Sequence, residues 1–202
     1  MNKLTRSAKM SLPIKIAVIL ILLFLVIFPI IQMFSSMSAE DFDKVISSPN
    51  FGTALFNSVW IAAVATVISV IIAYALAYCM TRTDVKFKKL WNIILILPML
   101  IPSISHGMGL IILFGGNGVI KNLLGLDGTI YGAAGIITGS VLYAFPVAYI
   151  MISDVLKYED MSVYEAADVL GLSKAQQFFR ITLPYLKRPL ISACFSTFSM
   201  II

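Results

Sequence analysis

The chain has 202 residues, of which 59% are hydrophobic and only 12% are charged, and its mean hydropathy is +0.95. So few polar side chains cannot cover a water-soluble globule of this size, which excludes a soluble domain and makes lipid the solvent for much of the surface. A formal net charge of +5 is compatible with binding to nucleic acid, unless the positions of the basic residues along the chain have another explanation.

Four apolar runs are long enough to cross a hydrocarbon core of roughly 30 Å, which takes about 20 helical residues. They cover residues 16–34, 59–80, 90–114 and 130–153. A fifth run extends from Pro189 to Ile202, a length too short to span by itself. We therefore expect an all-α polytopic membrane helix bundle that is truncated in its fifth span. The first run is longer than the core of a signal peptide, which favours an uncleaved span over a cleaved one.

The basic residues follow the spans asymmetrically, and cytoplasmic ends of spans are the ones enriched in Lys and Arg. On one side lie Lys44 and Lys121 alone. The other 13 of the 15 basic residues lie before the first span, after the second and after the fourth. This distribution predicts a cytoplasmic amino terminus, and it explains the net charge without nucleic acid.

Small side chains recur every fourth position in the second span, at Ala65, Ser69, Ala73 and Ala77. Residues four apart share one helix face, and small residues allow close helix approach within lipid. We therefore predict that this ridge packs against a neighbouring helix. In the third span, Pro98 and Pro102 remove backbone hydrogen bonds and predict a kink, and Pro146 does the same in the fourth.

The most informative segment follows the fourth span. It reads Glu165-Ala166-Ala167, three residues, Gly171, nine residues, then Ile181, one residue, and Leu183-Pro184. These three blocks, at this spacing, resemble the cytoplasmic loop of permease subunits from binding-protein-dependent ABC importers, whose membrane domain is of the MetI-like type. The resemblance implies an importer membrane domain over residues 53–202 with a coupling loop at 157–188. Residues 1–50 would supply the amino terminus, the first span and an external segment.

Local signals predict a helix-turn-helix within this loop. Ser162 with Glu165, and Ser173 with Gln176, have the spacing of reciprocal helix caps, and Gly171 is placed to end the first helix. Pro184 is expected to stop the second helix.

The first helix should present a small apolar face flanked by acidic side chains. The face consists of Val163, Ala166, Ala167 and Leu170, and the acids are Glu165 and Asp168. A helix lying flat on the membrane is usually basic on its polar face, so the acids favour docking into a groove of another protein, with pairing to basic groups at its rim.

The resemblance also implies what docks there. In this family the loop enters a cleft of a cytoplasmic ATP-hydrolysing subunit, so the docking residues would be Glu165, Ala166, Ala167, Asp168, Gly171, Ile181, Leu183 and Pro184. Further implied partners are a second permease subunit and an extracytoplasmic solute-binding protein, in a bacterial cytoplasmic membrane. The chain would hold no cofactor of its own, because the partner subunit binds ATP.

Chemistry-bearing residues are sparse. His106 is the single histidine, no acid or nucleophile lies at a catalytic spacing from it, and Cys79 and Cys194 have no metal-binding spacing. The deep parts of the spans contain no Asp, Glu, Lys or Arg, whereas proton-coupled carriers generally depend on ionisable groups there, so an external motor is expected to supply the energy. The sequence thus predicts a non-catalytic transport subunit.

Two questions stay open at this level. Ser103, Ser105 and His106 could line a solute path, but hydrogen bonding between helices is the favoured role of the two serines, and a buried, hydrogen-bonded structural role explains His106 equally well. In overall character the chain resembles importers of ferric iron, polyamines or phosphonates. The alternatives to an importer permease are a pore or scaffold that recruits a cytoplasmic partner through the same loop, and an inactive truncated permease.

Overall fold

The computed structural model describes residues 2–36, 38–125, 128 and 130–202, and side-chain surroundings from residue 12 onward except at residue 39. The chain divides into two compact units, Met1–Ala54 and Leu55–Ile202, each of which is described by itself. Every element in the described ranges is helical, as the sequence predicted.

The first unit contains two helices and the start of a third. Helix α1 spans Asn2–Ser35, and its segment Leu12–Ser35 is long and apolar enough to cross a membrane. The large apolar side chains of that segment are exposed, as suits a helix surrounded by lipid. A short helix, α2 (Ala39–Ile46), follows and is capped by Ser38, whose Oγ accepts a hydrogen bond from the Asp41 amide at 3.1 Å.

The second unit is built on long helices joined by short ones. Its elements in chain order are α3 (Phe51–Arg82, which begins in the first unit), α4 (Lys88–Ile96), a 3₁₀ turn (Leu97–Leu100), α5 (Ser103–Phe114), α6 (Val119–Leu124), α7 (Ala133–Lys157), α8 (Ser162–Val169), α9 (Lys174–Gln177), a π-helical turn (Phe178–Thr182) and α10 (Leu183–Ile201).

Helices α3, α7 and α10 form the core. The predicted ridge is confirmed, because Ala65, Ser69, Ala73 and Ala77 are all fully buried. Ala73 and Ala77 share one buried cluster with larger side chains, namely Tyr149, Ile152 and Leu156 from α7 and Leu186 from α10. The ridge therefore provides the close backbone approach that membrane helices need in order to pack without a hydrophobic drive between them.

The third span departs from the prediction of one kinked helix. The helix α4 gives way to the 3₁₀ turn at Leu97, and Ile101 is extended with ψ 133° before α5 begins at Ser103. Proline disfavours helical geometry in the residue before it, so Pro102 forces Ile101 out of the helix and converts the kink into a break. In contrast, α7 runs through Pro146 without ending.

Replacing Ala73 with Phe should destabilise the bundle, because a ring at a fully buried position overpacks the ridge at a cost of about 1–3 kcal/mol. A lower thermal unfolding midpoint of the detergent-solubilised protein would measure this effect. Ile71→Phe is the matched control, because Ile71 lies on the exposed side of the same helix. An Ala73→Phe protein that unfolds at the wild-type temperature would contradict the packing described here.

Candidate docking loop and its attachment to the bundle

The first helix of the loop at 157–188 is capped by a hydrogen-bond acceptor that the sequence analysis missed, the carboxylate of Asp160. The Asp160 carboxylate accepts a hydrogen bond from the Ser162 amide at 2.9 Å, and Ser162 is itself the first helical residue. This hydrogen bond lowers the pKa of Asp160. The predicted reciprocal cap between Ser162 and Glu165 is therefore wrong: the Ser162 amide, which the Glu165 side chain would have served, donates to Asp160, and the Glu165 amide donates to the Met161 carbonyl instead of to the Ser162 hydroxyl.

Gly171 ends α8 as predicted. Its φ of +72° lies in the left-handed region that favours glycine. The Gly171 amide donates to the Asp168 carbonyl, and the Leu172 amide donates to the Ala167 carbonyl, both at 3.0 Å. These two bonds are the Schellman pattern, which satisfies carbonyls that the helix end leaves unpaired. The glycine thus fixes the direction in which the chain leaves α8.

The second predicted cap is confirmed. Ser173 Oγ accepts from the Gln176 amide at 3.3 Å, and Gln176 Oε1 accepts from the Ser173 amide at 2.9 Å. The expectation that Pro184 stops this helix is wrong. The chain passes from α9 through the π-helical turn directly into α10, so Pro184 follows a segment in which the Leu183 amide donates to the Phe178 carbonyl, outside the regular α-helical pattern. Ile181, Leu183 and Pro184 therefore form a continuous helical connection into α10.

The Asp168 carboxylate connects the two helices of the helix-turn-helix, α8 and α9. Its carboxylate oxygens accept from Lys174 Nζ at 2.8 and 3.0 Å, and Gln177 Nε2 donates to it at 2.5 Å. The hydrogen bonds from Lys174 and Gln177 lower the pKa of Asp168. Asp168 and Glu165 are both exposed, but Asp168 already pairs with Lys174 and accepts from Gln177 within this chain; its pairing with a partner protein stays a prediction.

Helix α8 has an inner and an outer side. Ala167 is only 4% exposed, and Tyr164, one turn earlier, is half-buried on the same side. The outer face of α8 consists of Glu165, Ala166, Val169 and Leu170, with Val169 89% and Leu170 77% exposed. The predicted apolar face is therefore divided: Ala167 packs inward, while Ala166 and Leu170 face outward. Large exposed apolar side chains on a polar loop are typical of an interaction surface.

The inner side of α8 is held by what we call the attachment cluster: Arg82, Glu159, Tyr164 and Thr182. Arg82, at the end of α3, forms an ion pair with Glu159, and the two side chains are 13% and 4% exposed. The Tyr164 hydroxyl donates to Glu159 Oε1 at 2.6 Å and lies 2.7 Å from Thr182 Oγ1. The Arg82 guanidinium also lies 5.1 Å from the centre of the Tyr164 ring, within cation–π range.

Because the attachment cluster is buried, it tolerates the loss of one charged partner poorly. Removing one partner of a buried ion pair leaves an uncompensated charge and costs about 3–5 kcal/mol. Burial, followed by the hydrogen bond to Glu159, raises the pKa of Tyr164 to about 12, so the hydroxyl keeps its proton and remains a donor at neutral pH. The sequence analysis missed this cluster entirely. The only available signal was that Arg82 and Glu159 each lie just beyond an apolar span.

The three residues suggested for a solute path lie in different surroundings. Ser103 lines a cavity of about 470 Å³ with residues of α5, α7 and α10, among them Ser140 and Tyr143. His106 instead places its ring edge-on to Tyr143 at 6.1 Å and 3.4 Å from the Pro102 carbonyl oxygen. Ser105 is exposed and does not line that cavity. Of the three, only Ser103 lines this cavity, and a solute path through these residues stays a prediction.

Among curated proteins, the chain is similar to several transport permeases. It is 30% identical to the molybdate/tungstate transport system permease protein WtpB of Methanocaldococcus jannaschii, covering 92% of this chain and 73% of that protein. It is 26% identical to the probable transport system permease protein NifC of Clostridium pasteurianum, covering 91% and 65% respectively.

A third relative is much longer than this chain. The chain is 22% identical to the putative ferric transport system permease protein FbpB 1 of Haemophilus influenzae, covering 95% of this chain but spanning only 32% of that protein.

Solved structures share the fold. A bacterial ABC transporter involved in the import of the acidic polysaccharide alginate matches with a TM-score of 0.76 and 17% identity, over 97% of this chain and 74% of that chain. The alginate transporter in complex with an alginate-bound periplasmic protein matches with a TM-score of 0.71 and 18% identity, over 94% and 72%.

The family model described as "Binding-protein-dependent transport system inner membrane component" matches residues 69–202, which include three of the four ridge residues of α3, the attachment cluster and the whole loop. The resemblance drawn from the spacing around Gly171 is thereby confirmed, and the chain belongs to this family of importer permeases.

Proposed function

We propose that this chain forms part of the solute path of an ABC importer and receives mechanical work from a cytoplasmic ATPase through the outer face of α8. The observation that carries the proposal is the exposure of Val169 and Leu170 on a helix whose opposite side is anchored to the bundle. A water-exposed apolar face on an anchored helix suits a partner protein better than it suits solvent.

The outer face has the chemistry for such a partner. Ala166 is small enough to let another backbone approach, Val169 and Leu170 offer apolar area, and Glu165 supplies a negative charge that a basic residue at the edge of a groove could pair with. A cytoplasmic ATPase as the partner requires a cytoplasmic loop, and the distribution of basic residues supports a cytoplasmic side for both the loop and the amino terminus.

The proposed cycle needs only two states. Closure of two ATPase subunits around ATP would draw the loops of two permease subunits together, and the membrane helices would change from inward-open to outward-open. ATP drives this change to the extent that it binds the two states with different affinity. An extracytoplasmic binding protein would deliver the solute, and relatives named for ferric iron, polyamines, and molybdate or tungstate show that the fold serves several solutes.

A cysteine at Ala166 should crosslink to the ATPase subunit in intact membranes. The test uses a protein without Cys79 and Cys194, labelled at Ala166→Cys with a maleimide photocrosslinker. Asp84→Cys is the matched control, because Asp84 is also exposed but lies in the connection between α3 and α4. We expect both cysteines to be labelled and only residue 166 to capture an ATPase in high yield.

Equal capture from residues 84 and 166, or labelling of residue 166 only by reagents on the external side of the membrane, would contradict the docking proposal.

Replacing Gly171 with Val should impair coupling, since a β-branched residue at φ +72° is strained by about 1–2 kcal/mol and the end of α8 must shift. Gly171→Asn is the matched control, because Asn adopts the left-handed conformation more readily. We expect Val to reduce copurification of the ATPase subunit, or its stimulation by the loaded binding protein, and Asn to retain most of both. A Val variant equal to wild type in both measurements would rule out a role for the Gly171 turn in docking.

A further inference from the structure

Granted the proposed function, we propose that Glu159 and Tyr164 are the positioning residues that transmit the movement of α8 to the membrane helices. Every contact that makes this assignment lies in the attachment cluster, on the side of α8 opposite its outer face. The proposal concerns what happens after the ATPase has docked, and it identifies residues outside the Glu-Ala-Ala motif.

A single carboxylate links two elements that are distant in sequence. One oxygen of Glu159 pairs with Arg82 at the end of α3, and the other accepts the hydrogen bond of Tyr164 from α8. Glu159 itself lies two residues beyond the end of α7 at Lys157. A push or pull on α8 therefore reaches the ends of α3 and α7 through short, directional, buried contacts.

The Tyr164 hydroxyl connects α8 to a third helix of the bundle, α10. It lies 2.7 Å from Thr182 Oγ1, and Thr182 is the last residue of the π-helical turn that leads into α10. Segments of π-helix are uncommon and often occur at functional sites, because their backbone hydrogen bonds depart from the regular pattern. The hydroxyl thus joins α8 to α10 at the point where the helix between them is irregular.

The chemistry of the cluster separates transmission from simple packing. Apolar side chains could hold α8 against the bundle, but they slide past one another, whereas an ion pair and two hydrogen bonds fix direction as well as distance. Tyr164→Phe removes the hydroxyl and keeps the ring beside Arg82. This variant therefore tests the directional bonds while most of the packing is retained.

The experiment compares hydrogen–deuterium exchange in the assembled complex with and without ATP. Peptides covering residues 162–177 report on the loop, and peptides from α7 report on the membrane helices. In the wild type, we expect ATP to change exchange in both. In Tyr164→Phe, we expect the loop change to persist and the α7 change to fall about fivefold or more, which is the low end of typical allosteric coupling.

Three further variants make the result specific. Thr182→Val should behave like Tyr164→Phe, whereas Thr182→Ser keeps the hydroxyl and should restore the α7 response. Asp154→Asn is the matched control: it removes a pair with Lys157 at the same end of α7, and those two side chains are 58% and 51% exposed. Because exposed pairs contribute little, Asp154→Asn should leave both responses unchanged.

An α7 response within about twofold of wild type in both Tyr164→Phe and Thr182→Val, far below typical coupling factors, would overturn the assignment while leaving docking intact. Glu159→Gln extends the series if the variant assembles, and the two hydroxyl variants decide the question if it does not. A wild-type loop that shows no response to ATP, or a complex that contains no ATPase, would instead overturn the proposed function and this assignment with it.

Discussion

The buried ion pair between Arg82 and Glu159 is the constraint on which the position of the loop depends. Taking two charges out of water is costly, and the pair is tolerated because each charge has additional partners: Tyr164 donates to Glu159, and the guanidinium lies beside the Tyr164 ring. Such a cluster has few alternative arrangements. It therefore holds α8 in one orientation relative to the ends of α3 and α7.

The attachment cluster joins the helix bundle to the loop. In the bundle, the small residues of α3 let α7 and α10 approach closely. In the loop, capping hydrogen bonds at Asp160, Gly171 and Ser173 shape the helix-turn-helix, and Asp168 joins its two halves through Lys174 and Gln177. Helical propensity alone does not stabilise such short helices in water, so the fold of the loop relies on these contacts. The outer face of α8 remains free for a partner because its inner side supplies the anchoring.

The sequence predicted those features that depend on local spacing. The ridge of α3 is visible as a four-residue period, and the turn at Gly171 and the cap at Ser173 are visible as short patterns whose physics needs no distant partner. The failures are also instructive. The cap at Ser162 was wrong because Asp160 takes the amide that the Glu165 side chain would have served, and the stop at Pro184 was wrong because the π-helical turn carries the helix past the proline into α10.

The attachment cluster could not have been predicted in this way. Arg82 and Glu159 are 77 positions apart in the chain, and each by itself looks like an ordinary charged residue at the end of a membrane span. Only the packing of α3 against α7 brings them together. The same holds for the division of α8 into two sides, since the sequence alone shows an apolar stripe but not which part of it the bundle covers.

The central claim is that α8 and the adjoining helix ends move as one body. Spin labels at Ser162→Cys on α8 and Asp154→Cys on α7, in a protein without its native cysteines, test it most directly within the complex with the ATPase, because the exposed Ser162 lies outside the docking face. The account predicts a narrow distance distribution that is the same with and without ATP and that broadens when Tyr164 is replaced by Phe. A distance that shifts with ATP in the otherwise wild-type protein would show that the loop moves independently of the bundle and would contradict the account.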